Sequence, residues 1–166
     1  TDSANVCVMP KLTKSIRASS ELHTPNQPSP AKATIGEIVR YRLEVELPEG
    51  IWPGLEIKDK LPSGLEFHPT FVSQTKVSFV GSGPISSSSG VVGAMPFQVG
   101  SSCSAATPTF VLPGSEITVA NMATVAIGQD VAFNLGTISN ADLDPGLECI
   151  VLEFNVLVRN WDATNP

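Results

Sequence analysis

The clearest pattern in the chain is an alternation of apolar and polar residues that begins near residue 33 and continues to residue 67. In its first half an apolar side chain recurs at every second position, and charged side chains fill most of the positions between. The apolar set is Val39, Tyr41, Leu43, Val45 and Leu47. Because successive side chains of a strand point to opposite faces, this stretch predicts a half-buried β-strand with a charged outer face.

A second strand is predicted after a Pro-Glu-Gly turn and a break at Pro53 and Gly54. Asp59 falls in phase with the apolar residues of this strand, which are Leu55, Ile57 and Leu61. A carboxylate is costly to bury, so an acid at a core position is the strongest functional lead in the sequence.

Further strands are predicted on both sides of this pair. In the first of them, residues 11–17, Lys14 lies in phase with Leu12 and Ile16 and is therefore expected on the inner face. The other predicted strands are 65–71, 76–80, short edge pieces within 91–112, a loosely alternating run at 116–126, then 129–138 and 150–158. Residues 81–90 have the composition of a flexible loop, and Asn160 continues the inward parity of the last strand.

Composition points to one all-β domain. The chain has 166 residues, only 16% of them charged, and its short alternating runs are separated by Gly and Pro, as in a β-sandwich or barrel. We expect residues 1–10 to be a leader or linker and residues 11–166 to form a single β-sandwich domain with long loops. No signal peptide is recognised at the start, as in a mature or excised segment of a larger protein.

Charge and hydropathy argue against two classes of partner. The net charge is −6 and no basic patch is present, so we expect no nucleic-acid binding. The longest apolar runs have the length of strands, so we expect no insertion into a membrane.

The three cysteines are Cys7, Cys103 and Cys149. They form no CxxC pair and have no nearby histidine, which disfavours a zinc site. Two interpretations remain: one disulfide, for example between Cys103 and Cys149, with a spare thiol, or three buried thiols that behave as small apolar residues.

Two segments carry a resemblance to a known family. TIGEIVRYRLEVELPEG followed by LEIKDKLPSGLEF resembles a signature of the repeat domains of large bacterial surface proteins, and isopeptide-forming fimbrial pilin domains carry a similar one. VAFNLGTISNADLDPGLECIVLEFNVLVRN resembles the later segment of the same family. The resemblance implies an immunoglobulin-like β-sandwich of an extracellular stalk or adhesin, and it implies no particular ligand. A further hairpin follows in that family, so we expect the closing strand to lie beyond Pro166 or to come from another subunit.

Lys14, Asp59 and Asn160 fall on the inward parities of three strands and have the chemistry of an intramolecular isopeptide bond. The lysine amine would attack the asparagine amide and release ammonia, while the acid moves protons. Resemblance to the pilin domains implies these roles for Lys14 and Asp59. Alternatively, Lys14 reaches solvent from an edge strand, Asp59 accepts backbone hydrogen bonds before a turn, and Asn160 caps the last strand.

Other candidate sites have less support. Asp142, Asp144 and Glu148 have oxygen ligands at a spacing that could bind calcium, the one cofactor to consider, although a solvated acidic loop explains them as well. Trp52 could contact a sugar or a protein, or pack on its own sheet. No residues form a catalytic triad pattern, so we do not expect an enzyme.

These observations predict a non-catalytic structural module of an extracellular surface protein: a stalk, adhesin or filament subunit. Its expected partners are copies of itself or neighbouring surface domains, joined by strand exchange. The alternative is a carbohydrate- or protein-binding module that uses the loops around Trp52 and residues 81–110.

Overall fold

In a computed structural model, the chain is described over residues 10–24, 32–81, 83, 85–88, 97–99, 102–120, 128–141, 144 and 146–160. Residues 1–9 of the predicted leader lie outside this range. The described strands are β1 (Lys11–Ser19), β2 (Ile38–Glu46), β3 (Gly50–Leu61), β4 (Leu65–Glu66), β5 (Lys76–Gly81), β6 (Ile85–Ser87), β7 (Phe97–Val99), β8 (Phe110–Val111), β9 (Ile117–Ala120), β10 (Gln129–Asn140) and β11 (Cys149–Val158). Short 3₁₀ turns occupy Pro69–Gln74 and Gly114–Glu116.

The strands form two sheets, which confirms the predicted all-β sandwich. The larger sheet has the order β1-β2-β11-β5-β7, with β4 also paired to β11 and β8 to β5. The smaller sheet has the order β3-β10-β6, with β9 also paired to β10. The pairing is antiparallel except between β5 and β7. In the described part of the chain, β1 and β3 are therefore edge strands of different sheets.

The main core lies between the inner faces of the two sheets. Its centre contains three phenylalanines, Phe67, Phe133 and Phe154, whose ring centroids lie 5.1–6.2 Å apart. Around them are buried the apolar residues of the predicted alternation: Val39, Leu43, Val45 and Leu47 of β2 and the loop after it, Val131 and Leu135 of β10, and Ile150, Leu152 and Val156 of β11. The period-two pattern thus identified the inner faces of the long strands correctly.

The predicted break at Pro53 and Gly54 is wrong, because β3 begins at Gly50 and continues through both residues. Trp52 is opposite Ile138 and Leu55 is opposite Gly136, so two residues of β3 face one of β10. Gly54 has a positive φ of 58°, which accommodates this bulge. Proline is tolerated here because β3 is an edge strand.

Two other predicted boundaries also change. The strand predicted over 65–71 is reduced to β4, because Pro69 begins a 3₁₀ turn that is capped by the His68 side chain. The predicted loop over 81–90 contains β6, in which Ile85 is buried.

The outer face of the larger sheet is partly covered. Ala106 packs with Val80, Cys149 and Val151 in a second apolar cluster, and a disulfide joins Cys103 to Cys149. Because residues near Ala106 lie over the sheet, β11 is buried on both faces for most of its length. No helix among the described residues has the length and apolar character to cross a membrane.

Candidate functional site at the open side of the sandwich

Lys14 and Asp59 join the two sheets at the side where both have an edge strand. Lys14 on β1 is opposite Leu43 of the core, and Asp59 on β3 is opposite Val131. The Lys14 Nζ lies 2.8 and 2.6 Å from the two carboxylate oxygens of Asp59. Only 10% of the Asp59 side chain and 31% of the Lys14 side chain are exposed. The structure therefore brings together the two residues that strand parity had placed inward.

Tyr41 completes this group. The Lys14 Nζ lies 4.1 Å from the centroid of the Tyr41 ring, within range of a cation–π interaction. Burial raises the pKa of the Tyr41 phenol, and the negative charge of Asp59 raises it further. The sequence placed Tyr41 in phase with the core, but no motif distinguished it from the apolar residues beside it.

Asn160 is not brought to this group. Leu43 of β2, the residue opposite Lys14, is itself opposite Leu152 of β11. Val158 ends β11 about 20 Å farther along the sheet at the usual rise per residue, and Asn160 is an exposed residue beyond it. The predicted trio is thus reduced to an amine and an acid, and Asn160 does not supply the acyl group.

The Lys14–Asp59 pair lies at an open side of the sandwich. Among the described strands, β1 pairs only with β2 and β3 pairs only with β10. Large apolar side chains are exposed on these edge strands: Leu12 is 51% exposed and Ile51 is 71% exposed. Unpaired backbone groups and exposed apolar side chains are the features to which an additional strand can bind.

The structure describes two of the three predicted calcium ligands of the acidic loop before β11, Asp144 and Glu148. Asp142 lies outside the described residues, and the exposed Asp144 accepts a hydrogen bond from the Gly146 N–H within its own turn. Glu148 is buried, and the Asn140 side-chain amide approaches it at 3.5 Å. In the described ranges, no three His, Cys, Asp or Glu residues are grouped so as to hold a metal ion.

Trp52 is occupied by contacts within its own domain. It is half-buried against the main core, and its indole N–H donates to the Pro48 carbonyl oxygen at 2.9 Å. This placement matches the alternative in which Trp52 packs on its own sheet, and it gives no support to ligand binding by this turn.

A buried charged cluster was not foreseen from the sequence. Arg42, assigned to the charged outer face of β2, is buried beneath residues 103–106. Its guanidinium donates to Glu153 and to the Ala106 carbonyl, both at 2.8 Å, and also to the Cys103 carbonyl. The disulfide, which is one of the two cysteine interpretations, attaches this covering segment to β11.

Comparisons with protein-family models, with curated proteins and with solved structures find no match to this chain.

Proposed function

We propose that this protein is a non-catalytic structural module of an extracellular surface protein, a stalk, adhesin or filament subunit with an immunoglobulin-like fold. It assembles by accepting a β-strand along its open side, from a copy of itself or from a neighbouring surface domain. The observation that carries this proposal is the position of β1 and β3, two unpaired edges with the Lys14–Asp59 pair between them. An added strand would pair with an edge and cover Leu12.

The disulfide supports the proposed location. Cys103 and Cys149 are joined across 46 residues, and such bonds persist in oxidising compartments outside the cytoplasm. A cross-link that attaches a long loop to a central strand suits a module that must resist unfolding under load.

Lys14 and Asp59 also supply an amine and an acid at the open side, two of the three groups that formation of an isopeptide bond requires. An added strand that places an asparagine beside Lys14 would complete the groups for an isopeptide bond. The neutral Lys14 amine would attack the side-chain amide carbon, a C–N bond would form, and ammonia would leave. Asp59, already 2.6 Å from Nζ, would take the amine proton and pass it to the leaving nitrogen.

Sedimentation velocity over a range of protein concentrations tests the assembly. We expect the wild-type chain to self-associate, and Leu12→Lys to remain monomeric because a charge on the edge opposes strand addition. Leu22→Lys is the matched control, since Leu22 is 90% exposed and lies outside the strands. A wild-type chain that is monomeric at every concentration would contradict assembly through copies of itself.

The intact mass of the reduced and denatured protein tests the covalent step separately. A mass lower by one ammonia, or a covalent multimer lower by one ammonia per bond, would establish the cross-link, and Lys14→Ala should restore the full monomer mass. A full monomer mass in the assembled wild type would rule out the bond and leave the non-covalent assembly standing.

A further inference from the structure

The outer face of the larger sheet contains a cleft that extends from the end of β1 across β2 to β11. It has a volume of about 300 Å³ and is lined by Ala18, Ser19, Ser20, Ile38, Arg40 and Asn155. That volume is at the lower end of the range for small-ligand sites and suits a single sugar ring.

Arg40 differs from the other arginines of the chain. The other three arginines each have a carboxylate oxygen within 4.0 Å. Arg17 is paired with Glu153, Arg42 with Glu44 and Glu153, and Arg159 with Glu66. Among the described residues, Arg40 has no carboxylate partner. An arginine without a counter-charge in a cleft is a natural site for an anionic group.

The guanidinium of Arg40 is held in one orientation by the side chain of Asn155. Its Nε–H donates to the Asn155 Oδ1 at 3.0 Å, and the Asn155 Nδ2 donates to the Gln74 Oε1 at 2.6 Å. Both ends of the Asn155 amide are used, which fixes its own orientation. The Nη groups of Arg40 have no acceptor among the described residues, so they remain available for a bidentate pair with a planar carboxylate.

A bulge in β1 makes room above this arginine. The register shifts between Ile16 and Ala18, so that Ala18 is opposite Arg40 and the small side chains of Ala18 to Ser20 form the wall of the cleft. The Ser20 Oγ accepts from the Ile38 N–H at 3.0 Å, and its own hydrogen has no acceptor in the described part of the chain. The wall thus offers both apolar contact and one hydroxyl donor.

We propose that the cleft over Arg40 binds a carboxylate carried on a sugar ring, that is, a hexuronate unit of an acidic polysaccharide. The carboxylate pairs with the Arg40 Nη groups, the Ser20 hydroxyl donates to a ring substituent, and the C–H face of the ring lies against Ala18 and Ile38. The net charge of −6 repels polyanions in general, so binding depends on this cleft and not on overall attraction.

The test is a titration of the isotope-labelled protein with a trisaccharide of galacturonic acid, followed by amide chemical shifts. We expect saturable changes at residues 18–20 and 38–40, with an affinity in roughly the millimolar range. Arg40→Gln should weaken binding about tenfold through loss of one charge-assisted pair. Ala18→Phe, which fills the cleft but leaves Arg40 in place, should abolish binding even if Arg40→Gln disturbs the fold.

Two matched controls decide the outcome. Lys76→Gln removes one positive charge from the same sheet outside the cleft and should leave the affinity unchanged. The methyl ester of the trisaccharide, which lacks the carboxylates, should not bind. Equal binding of the ester, an equal loss with Lys76→Gln, or the absence of saturable changes at these amides would each overturn the proposal.

Discussion

At the scale of single residues, Glu37 is a buried carboxylate that links the end of β1 to the start of β2. It accepts hydrogen bonds from the Ser19 hydroxyl, from the Thr34 N–H at 2.7 Å and from the Thr34 hydroxyl at 3.2 Å. Burial by itself would raise the pKa of Glu37. The hydrogen bonds from Ser19, Thr24 and Thr34 outweigh it and lower the pKa from 4.5 to about 2.

The lowered pKa predicts a loss of stability in acid. A carboxyl group with a depressed folded-state pKa stabilises the fold above its unfolded value of 4.5, and this contribution disappears as the pH falls towards 2. We expect Glu37→Gln to lower the free energy of unfolding by about 1–2 kcal/mol at neutral pH, and the difference from wild type to vanish near pH 2. Urea unfolding across this pH range measures it. A difference that does not change with pH would assign the effect to packing.

Tyr41 allows a second test, because it is the only tyrosine in the chain. The phenolate is disfavoured by burial and by Asp59, so its pKa is raised. We expect Asp59→Asn to lower the pKa of Tyr41, since one negative charge is removed, but not to its usual value, since the burial remains. Ultraviolet absorbance of the phenolate follows this titration, with Asp130→Asn as the control, because Asp130 is an exposed carboxylate on the outer face of β10. An unchanged midpoint in Asp59→Asn would contradict the arrangement at the open side.

The inner faces could be predicted residue by residue, but the partners on them could not. Alternation alone placed Lys14, Asp59 and Tyr41 inward, because the strand period fixes the face of each side chain. It could not show that Lys14 and Asp59 meet, since that contact depends on the packing of two different sheets. Alternation also predicted that Arg42 would be exposed to solvent, because the segment that covers it lies about 60 residues later and has no periodic pattern.

At the scale of elements, long alternating runs were predictable and irregular segments were not. The last predicted strand matches β11 to within one residue, whereas β3 was shortened because Pro53 and Gly54 usually interrupt strands. The bulge that keeps Pro53 and Gly54 within β3 depends on pairing with β10, and the sequence of one strand does not show which strand it pairs with. β6 was missed for a similar reason, since its three residues follow a serine- and glycine-rich context.

The covering segment around residues 103–106 gives a prediction about the disulfide. Its closure spans 46 residues, so reduction should lower the free energy of unfolding by about 4 kcal/mol through the entropy of the unfolded chain. The measurement is urea unfolding with and without reductant, in a Cys7→Ser background so that one disulfide can form. Cys103→Ser should reproduce the reduced value and be insensitive to reductant. Equal stability of the two redox states would show that this cross-link does not constrain the fold.

At the scale of the whole molecule, the described strands leave the sandwich open where β1 and β3 lie. β11 is central to the larger sheet, paired with β2 and β5 and buried on both faces. β1 differs from β11 in both pairing and burial, because it pairs with one strand and is exposed along most of its length. Stability should therefore be distributed unevenly, and lowest at the edge to which the proposed partner strand would bind.

Native-state hydrogen exchange measures this distribution directly. We expect the amides of residues 150–156 to exchange only through global unfolding, and those of β1 to exchange through a local opening that costs several kcal/mol less. Lys14→Met should lower the opening free energy of β1 by about 1–3 kcal/mol, because it leaves the buried Asp59 carboxylate without its partner. The opening free energy of β11 should change only as much as the global stability does. Leu22→Lys again serves as the control outside the strands. If β1 exchanged as slowly as β11, the edge would be as rigid as the centre, and strand exchange through β1 would require unfolding of the whole sandwich.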